Sequence, residues 1–543
     1  MPVHGWHVRG RPVPFRSSPM VRPRELPLRI AFLNLRARTK DWHHVILVPL
    51  GVMYLSSALK KAFGERVEVK LFDTTLFPEK QAPDEAIRSF LEEFRPEVVG
   101  IRGFSSQADE FPIVAALAKE VNPECLVIAG GPHASTNSPS LYAVPGIDLV
   151  SPYEGEETLV ELVRHVLDGT PHADVAGIGW WNGQAPVHNP PRPQIQDLDA
   201  LPFPDYSILD LDAYQGRISM TDFLSRGKYT SIFTSRGCYY ICSYCHTNFG
   251  KKVRYRSVSN VIDEVELLMQ TQGVQEFHVI DDIFNADKER AIAIFNEVVR
   301  RNLKVWFAFP NGLRADRMDE EFVHAAKEAG TYHWALAVET ATPRLQKLVR
   351  KYNKLDKVFE TIALSDRYGV FTCTFNMLGF PTETEEEMRA TIDFNLRSAA
   401  HMTHFFVVTP YEGTTLHEEL ETFGIAPGEL SAEMLGYQNF SGTDDHASLS
   451  RVPRSHIQTL IQEAVRRFYF DPKRMRRMME LNHNHAHLAL HLETRRWSAG
   501  YDWNTIPDRA AARLLASLFD EARAKDPAGC AHLPRPPDGL MAA

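Results

Sequence analysis

The chain has 543 residues, too many for one ordinary hydrophobic core, so two or three domains are expected. Its 44% hydrophobic and 24% charged residues fit a globular protein, and 60 Lys and Arg against 69 Asp and Glu give a formal charge of −9, with no basic excess to serve a nucleic-acid surface. Six cysteines, three of them scattered singly, exclude a disulfide framework and indicate a reducing, cytoplasmic setting; no apolar run approaches the roughly 20 residues of a transmembrane segment.

Residues 1–27 are rich in Arg and Pro, lack the apolar stretch of a secretion signal and are expected to form a disordered leader. From 28 to 183, short β-branched runs alternate with amphipathic helices: LRIAFLN, then PLGVMYLSSALKKAF, VEVKLFD, DEAIRSFLEEF, EVVGIRGF, FPIVAALAKEV and CLVIAGG. Such alternation predicts an α/β domain of the doubly wound, Rossmann-like class, which binds ligands beyond the carboxyl ends of its strands. Two segments stand there: Gly103, Ser105, Ser106 and Gln107, and the run from Gly130 and Gly131 through His133 to Ser135.

Residues 184–213 turn Pro-rich and read as an extended linker. From 214 to 412 the βα alternation resumes about six times, with candidate strands YTSIFTS, EFHVIDD, VWFAFPN, HWALAVE, VFTCTFNML and HFFVVTP. Six such units predict a partial barrel of the TIM type, with its active site at the carboxyl ends of the strands. Residues 413–525 read as a mostly helical segment, and 526–543 as a disordered tail. A run of His483, His485, His487 and His491 in the helical segment invites a metal reading; its spacing favours a buried or substrate-lining helix instead.

Directly after the first barrel strand comes TSRGCYYICSYCHTNFG, which carries Cys238, Cys242 and Cys245. Three thiolates on one loop leave a metal centre with an open position, where chemistry can occur. Structural zinc would need a fourth ligand, for which the adjacent His246 is poorly placed. The spacing, with Tyr244 just before the last cysteine, resembles the defining motif of the radical S-adenosylmethionine superfamily. That resemblance implies a [4Fe-4S] cluster on the three cysteines, with S-adenosylmethionine chelated at the open iron and split to a 5′-deoxyadenosyl radical.

The resemblance places further residues against S-adenosylmethionine. Asp281 and Asp282 would lie at the methionine amino group, or form an acidic turn. Arg314 would pair the methionine carboxylate, or join a salt bridge. Glu339 would lie near the ribose, or be a satisfied rim carboxylate. Gly379 and Pro381 in GFPTETEEE would offer backbone to the adenine, though helix capping explains much of that composition.

The first domain, through PLGVMYLSSAL, VVGIRGFSS, VIAGGPHAS and YEGEETLVELV with Glu154 and Glu156, resembles the cobalamin-binding domain that accompanies one branch of this superfamily. Its departure from the Asp-x-His-x-x-Gly loop of cobalamin mutases implies base-off cobalamin without a histidine on cobalt. The nucleotide tail would run near Gly130 to Ser135, and Gly103 to Gln107 would meet the lower corrin face. The implied activity is methyl transfer to an unactivated carbon of a small molecule; oxidative cyclisation and a non-catalytic sensor are the alternatives. An external electron donor of flavodoxin or ferredoxin type and a monomeric state go with it.

Overall fold

The computed structural model describes residues 27–36, 45–77, 81–217, 219–221, 224–246, 248–426, 448–531, 533–537 and 540. The expected leader therefore lies outside the described residues, apart from Pro27. The chain divides into two compact units, residues 1–216 with 246–249, and residues 217–245 with 250–543.

Unit 1 is built on strands β1 (Leu28–Asn34), β2 (Val67–Asp73), β3 (Val98–Arg102), β4 (Leu126–Gly130), β5 (Leu149–Val150), β6 (Gly179–Trp181) and β7 (Pro186–His188). They lie in the order β2-β1-β3-β4-β5-β6-β7, and β1 to β5 are parallel. Alternate residues feed opposite faces: Val127 and Ala129 of β4 join one apolar cluster with Phe111, while Leu126 and Ile128 join another with Val52. Two buried faces explain the nearly continuous apolar strands of the sequence.

The stretch expected as an extended linker, 184–213, groups with unit 1 and straps across it. It contributes β7, and Asp205 accepts from Ser56 Oγ at 2.6 Å while pairing with Lys60 at 2.7 Å. Tyr214 donates to Asp73 at 2.6 Å. Proline removes strand and helix periodicity from this stretch but leaves its polar side chains able to dock.

Unit 2 holds β8 (Tyr229–Ile232), β9 (Ser235–Arg236), β10 (Arg254–Tyr255), β11 (Glu276–Val279), β12 (Trp306–Leu313), β13 (Thr331–Glu339), β14 (Phe371–Leu378) and β15 (Met402–Val407). Six of them form an all-parallel sheet, β15-β14-β13-β12-β11-β8, with β8 and β15 as open edges. The crossover helices start where short polar side chains cap them: Ser257, Asp287 and Asp319 each accept a first-turn N–H, and Thr384 with Glu387 forms a capping box. At the amino end of the sheet the buried Glu276 gathers His278 and Tyr332, each at 2.6 Å, and the N–H groups of Arg226 and Gly227.

The side chains of Thr374, Asn376 and Thr403 meet Asn395 of helix Glu385–Arg397, so they face the outer helix layer. Strand alternation then turns Phe375, Met377, His404 and Phe406 toward the barrel interior. Among the described residues a short helix, Thr415–Glu418, follows, and then Arg454–Tyr469, Pro472–Leu481, His485–Ser498 and Arg509–Lys525. Tyr469 seals the outer edge of β15, its hydroxyl donating to Thr403 O at 2.8 Å and accepting from Thr403 N at 3.1 Å. Arg226, just before β8, reaches Leu481 O at 3.4 Å. The C-terminal helices thus span the flank between the two edge strands. The stretch after 525, expected as disordered, folds back where it is described: Cys530 and Leu533 are buried, and Arg523 holds Leu533 O at 3.2 Å.

Candidate cofactor sites

The cysteine loop runs between β9 and β10, and the carboxyl ends of the barrel strands hold it from several sides. Cys238 N–H donates to Gly250 O at 3.1 Å, Ser243 N–H to Val349 O at 3.0 Å, and Leu416 N–H to Ser243 O at 2.7 Å. Gly237 N–H donates to Asp282 at 2.9 Å. Tyr244 packs on Phe380, ring centroids 6.1 Å apart. Tyr240 lies under the Arg314 guanidinium at 4.2 Å and accepts from Arg317 Nε at 2.8 Å.

The three thiols differ in setting. Cys238 is half-buried, Cys242 buried and Cys245 exposed. A hydrogen bond from Cys245 brings Cys242 down to about 6; burial opposes this, and the positive charges of Lys351 and Arg314 assist it. Burial pushes the Cys238 thiol up. The hydrogen bond that Cys245 shares with Cys242 pushes its own thiol well up; the three soft sulfur donors suit an iron-sulfur cluster. Structural zinc needs a fourth ligand beside the three thiols, and none adjoins them in the motif except His246.

Asp281 is buried and spends its oxygens inside the fold. It accepts from Thr234 N, Thr234 Oγ1 and Ser235 Oγ, all at 2.6 Å, which ties the end of β11 to the turn leading into the loop. Arg314 is likewise engaged: Nε and Nη2 bind Asp316 at 2.9 and 2.8 Å, and Nη1 donates to Lys351 O at 2.7 Å. Within the chain, Asp281 thus closes an acidic turn and Arg314 forms a salt bridge. Asp282, by contrast, is exposed.

Glu339, at the end of β13, pairs with Lys351 at 3.2 Å. Its φ of +66° is disfavoured for a residue with a side chain, and Arg350, Tyr352 and Thr382 on the same rim share that conformation. Gly379 (φ +94°) and Phe380 donate their N–H groups to Glu383 at 2.6 and 2.9 Å, and Pro381 is buried beside them. Burial lifts the Glu383 carboxyl to about 7 even against those two bonds. Lys351, Tyr240, Arg317 and Glu383 are rim residues that the sequence pattern does not single out. Lys351 follows a six-residue helix (Pro343–Leu348) in a segment without periodicity. Only its neighbours' strained backbone marks the place.

In unit 1 the two expected segments come together at the carboxyl edge of the sheet. Gly103 O accepts from His133 N at 3.0 Å. A Cβ on Gly131 (φ +83°) would meet Arg102 Cγ at 2.7 Å, and one on Gly103 would meet Phe111 at 2.9 Å. His133 is buried with its two ring nitrogens each 3.3 Å from a serine, Nδ1 from Ser105 and Nε2 from Ser140. Gln107 accepts Phe104 N–H, Ser135 accepts Tyr153 N–H, both at 2.8 Å, and Glu154 accepts Ile195 N–H at 3.1 Å. Ser106 is exposed, Glu156 is buried, and a Cβ on Gly130 would stand in ordinary contact with Ser151 O at 3.6 Å. Phe104 and Tyr153 are 37% and 55% exposed beside these segments. Apolar rings left in water at the ligand-binding edge fit a large, flat, largely apolar macrocycle.

Residues 232–394 match the radical SAM superfamily and residues 44–163 the B12-binding domain. An uncharacterised methyltransferase of Pyrococcus horikoshii is 30% identical over 78% of this chain and 88% of its own. The cytidylyl-2-hydroxyethylphosphonate methyltransferase of Streptomyces wedmorensis is 28% identical over 78% of this chain and 89% of its own. The anaerobic magnesium-protoporphyrin IX monomethyl ester cyclase of Rubrivivax gelatinosus is 25% identical over 78% and 74%. In fold, the chain resembles the radical S-adenosylmethionine methyltransferase TsrM of Kitasatospora setae, solved with cobalamin and a [4Fe-4S] cluster, with a TM-score of 0.65 at 19% identity over 92% of this chain and all of the other. The cobalamin-dependent radical enzyme OxsB gives a TM-score of 0.66 at 15% identity over 95% and 83%. With both domains present in order and the Pyrococcus horikoshii relative matched at 30% identity over 88% of its length, the chain belongs to the cobalamin-binding branch of the radical S-adenosylmethionine superfamily.

Proposed function

We propose that this enzyme is a C-methyltransferase that moves a methyl group to an unactivated carbon of a small molecule. When bound, the cluster and S-adenosylmethionine supply a 5′-deoxyadenosyl radical, and cobalamin supplies a methyl group. The chain's own residues then have separable tasks. Cys238, Cys242 and Cys245 hold the cluster, with Lys351 and Arg314 balancing thiolate charge near Cys242. Arg314 and Arg317 clamp Tyr240 and keep the loop at the rim. Asp281, Asp282, Arg314, Glu339, Gly379 and Pro381 are the candidates for orienting S-adenosylmethionine. Glu383 fixes the turn at Gly379 by taking two N–H groups on one oxygen.

In unit 1, Gly103 to Gln107 and Gly130 to Ser135, with Glu154 and Glu156 behind them, would cradle cobalamin. His133, already set between two serines, would leave cobalt without an imidazole ligand. The observation that carries the methyltransferase reading is the match along 88% of a methyltransferase's length. Identity to the cyclase over 74% of its length supports oxidative cyclisation as a second reading.

Coproducts separate the two. In the reduced, anaerobic enzyme, methyl transfer yields one S-adenosylhomocysteine and one 5′-deoxyadenosine per product, whereas cyclisation yields no S-adenosylhomocysteine. Absence of both overturns the enzymatic reading and favours a sensor. No helix among the described residues is long and apolar enough to cross a membrane. A cytoplasmic monomer reduced by a flavodoxin or ferredoxin is the proposed setting, supported by six free cysteines.

A further inference from the structure

The run of C-terminal histidines does not assemble as metal ligands among the described residues. His485 is turned away, to Met479 O at 3.0 Å and Glu521 at 2.9 Å. His491, on another face of that helix, packs edge-on against Tyr469, ring centroids 5.7 Å apart. The inward wall of the barrel is aromatic: Phe375, His404 and Phe406 stand with ring centroids 5.8 to 6.1 Å apart, His404 and Phe406 nearly parallel.

Across the open edge of β15, helix His485–Ser498 brings Arg495 to His404. Nη2 lies 3.5 Å from His404 Nδ1, and Nε lies 3.4 Å from His491 Nε2. The guanidinium stands 5.1 Å from the Tyr469 ring centroid. These contacts are long and their partners neutral: burial lowers His404 to about 3 and His491 well below its ordinary value. Arg495 is half-buried, and among the described residues it has no ion pair with any carboxylate.

Arg466 and Arg474 nearby also have no ion pair among the described residues, but each donates to backbone carbonyls, Ala499 O at 2.6 Å and Leu396 O at 2.9 Å, which Arg495 does not; other neighbours are ion-paired. Arg496 binds Glu493 through two nitrogens at 2.7 and 2.6 Å, and Arg477 binds Asp366 at 2.6 Å. A half-buried guanidinium without a counter-charge is costly, and its planar fork matches an oxyanion. The two neutral imidazoles accept from it, His404 at Nδ1 and His491 at Nε2, so they orient the fork without adding or cancelling charge.

We propose that Arg495, His404 and His491 form an oxyanion subsite on the inner wall of the barrel, which takes a carboxylate or phosphate group of the substrate. The apolar part of that substrate lies on Phe375, Met377 and Phe406. This deepens the proposed function by naming the substrate class, a small anionic molecule with an apolar or aromatic body. Anion binding itself needs neither cofactor nor turnover, so it stands or falls separately from the methyl-transfer reading.

The test uses the full chain, with phenylglyoxal modification of Arg495 followed by peptide mass spectrometry, in the presence of inorganic phosphate or acetate. Either anion at ten times its midpoint should slow modification of Arg495 about tenfold by occupancy alone, with Arg496 as the internal reference. His404→Phe or, should that fold poorly, His491→Phe should raise the protecting concentration about tenfold or more, as expected for a lost hydrogen bond to a charge. Equal modification with and without both anions overturns the proposal. So does protection by S-adenosylmethionine alone at its binding concentration, which would assign the subsite to that molecule's carboxylate.

Discussion

Arg314 links three parts of the cofactor rim, and replacing it tests whether the loop is held from beneath. Arg314→Met removes a two-point bond to Asp316, a bond to Lys351 O and the charge under Tyr240. Asp316 is left buried without its partner, at about 3–5 kcal/mol to the unit as a whole. The cysteine loop itself feels mainly the loss at Tyr240, a desolvated cation over a ring, worth about 1–2 kcal/mol. At 1.36 kcal/mol per decade that is about fivefold to thirtyfold faster opening. Hydrogen exchange separates the two effects: amides of Cys238 and Ser243, bonded to Gly250 O and Val349 O, report the loop, and buried strands report the unit. In Arg314→Met both should lose protection. In the double variant Arg314→Met with Asp316→Asn, the strands should recover, since no buried charge remains, while the loop stays fast. Loop protection unchanged within about threefold in either variant would refute a clamping role and leave Arg314 as an ordinary buried pair.

Alanine at Cys238, Cys242 or Cys245 should abolish 5′-deoxyadenosine formation and lower iron content while the visible spectrum of bound cobalamin persists; survival of radical formation in any of them would overturn the cluster assignment. His133→Ala should leave the electron paramagnetic resonance spectrum of the cobalt(II) cofactor without imidazole nitrogen splitting, as in the unchanged protein; splitting that disappears only in the variant would show that the histidine binds cobalt. Gly131→Ala places a Cβ 2.7 Å from Arg102 Cγ at φ +83°, and should cost about 2 kcal/mol of unit 1 stability, readable by denaturant unfolding with unit 1 probes. Burial works against ionisation of Glu276, but bonds from His278, Tyr332 and the Arg226 N–H outweigh it and hold the carboxyl below its usual range. A depressed folded value gives stability that is complete above about pH 4.3, the ordinary glutamate value, and is lost as pH falls through the folded one. Glu276→Gln should therefore destabilise unit 2 by about 3 kcal/mol at pH 7, and the gap to the unchanged protein should narrow below pH 4; a gap constant from pH 7 to pH 3 would contradict it.

The parallel strands were legible because both of their faces are buried, which writes an unbroken apolar run such as LRIAFLN or EVVGIRGF between turn residues. The cysteine loop was legible because three thiols in eight residues have few other uses. Side-chain roles were harder to read. Asp281 and Arg314 have the right chemistry at the right strand ends, but Thr234, Ser235, Asp316 and Lys351 O take up their hydrogen bonds, and those partners are up to 47 residues away. Lys351 and Tyr240 carry no periodic signal, since their placement depends on tertiary contacts to Glu339 and Arg314. The strap at 184–213 was hard to read because proline abolishes periodicity without preventing polar docking. The chain after 525 was misread because two apolar residues, Cys530 and Leu533, suffice to anchor a short irregular stretch against a helix.

The sheet of unit 2 does not close on itself; helices from outside the βα repeat cover its open flank through Tyr469, Arg495 and Leu481. This divides labour along the sequence. The cysteine loop and its clamps are encoded between 236 and 416, within the βα repeat and the turn after it, whereas the cover of the flank comes from residues beyond 454 that make no βα unit. Selection can therefore alter what the lumen admits by rewriting one terminal helix while the radical-generating rim stays as it was. A family built this way would diversify its substrates at the carboxyl terminus, as a lock is re-keyed by changing one plate and not the bolt.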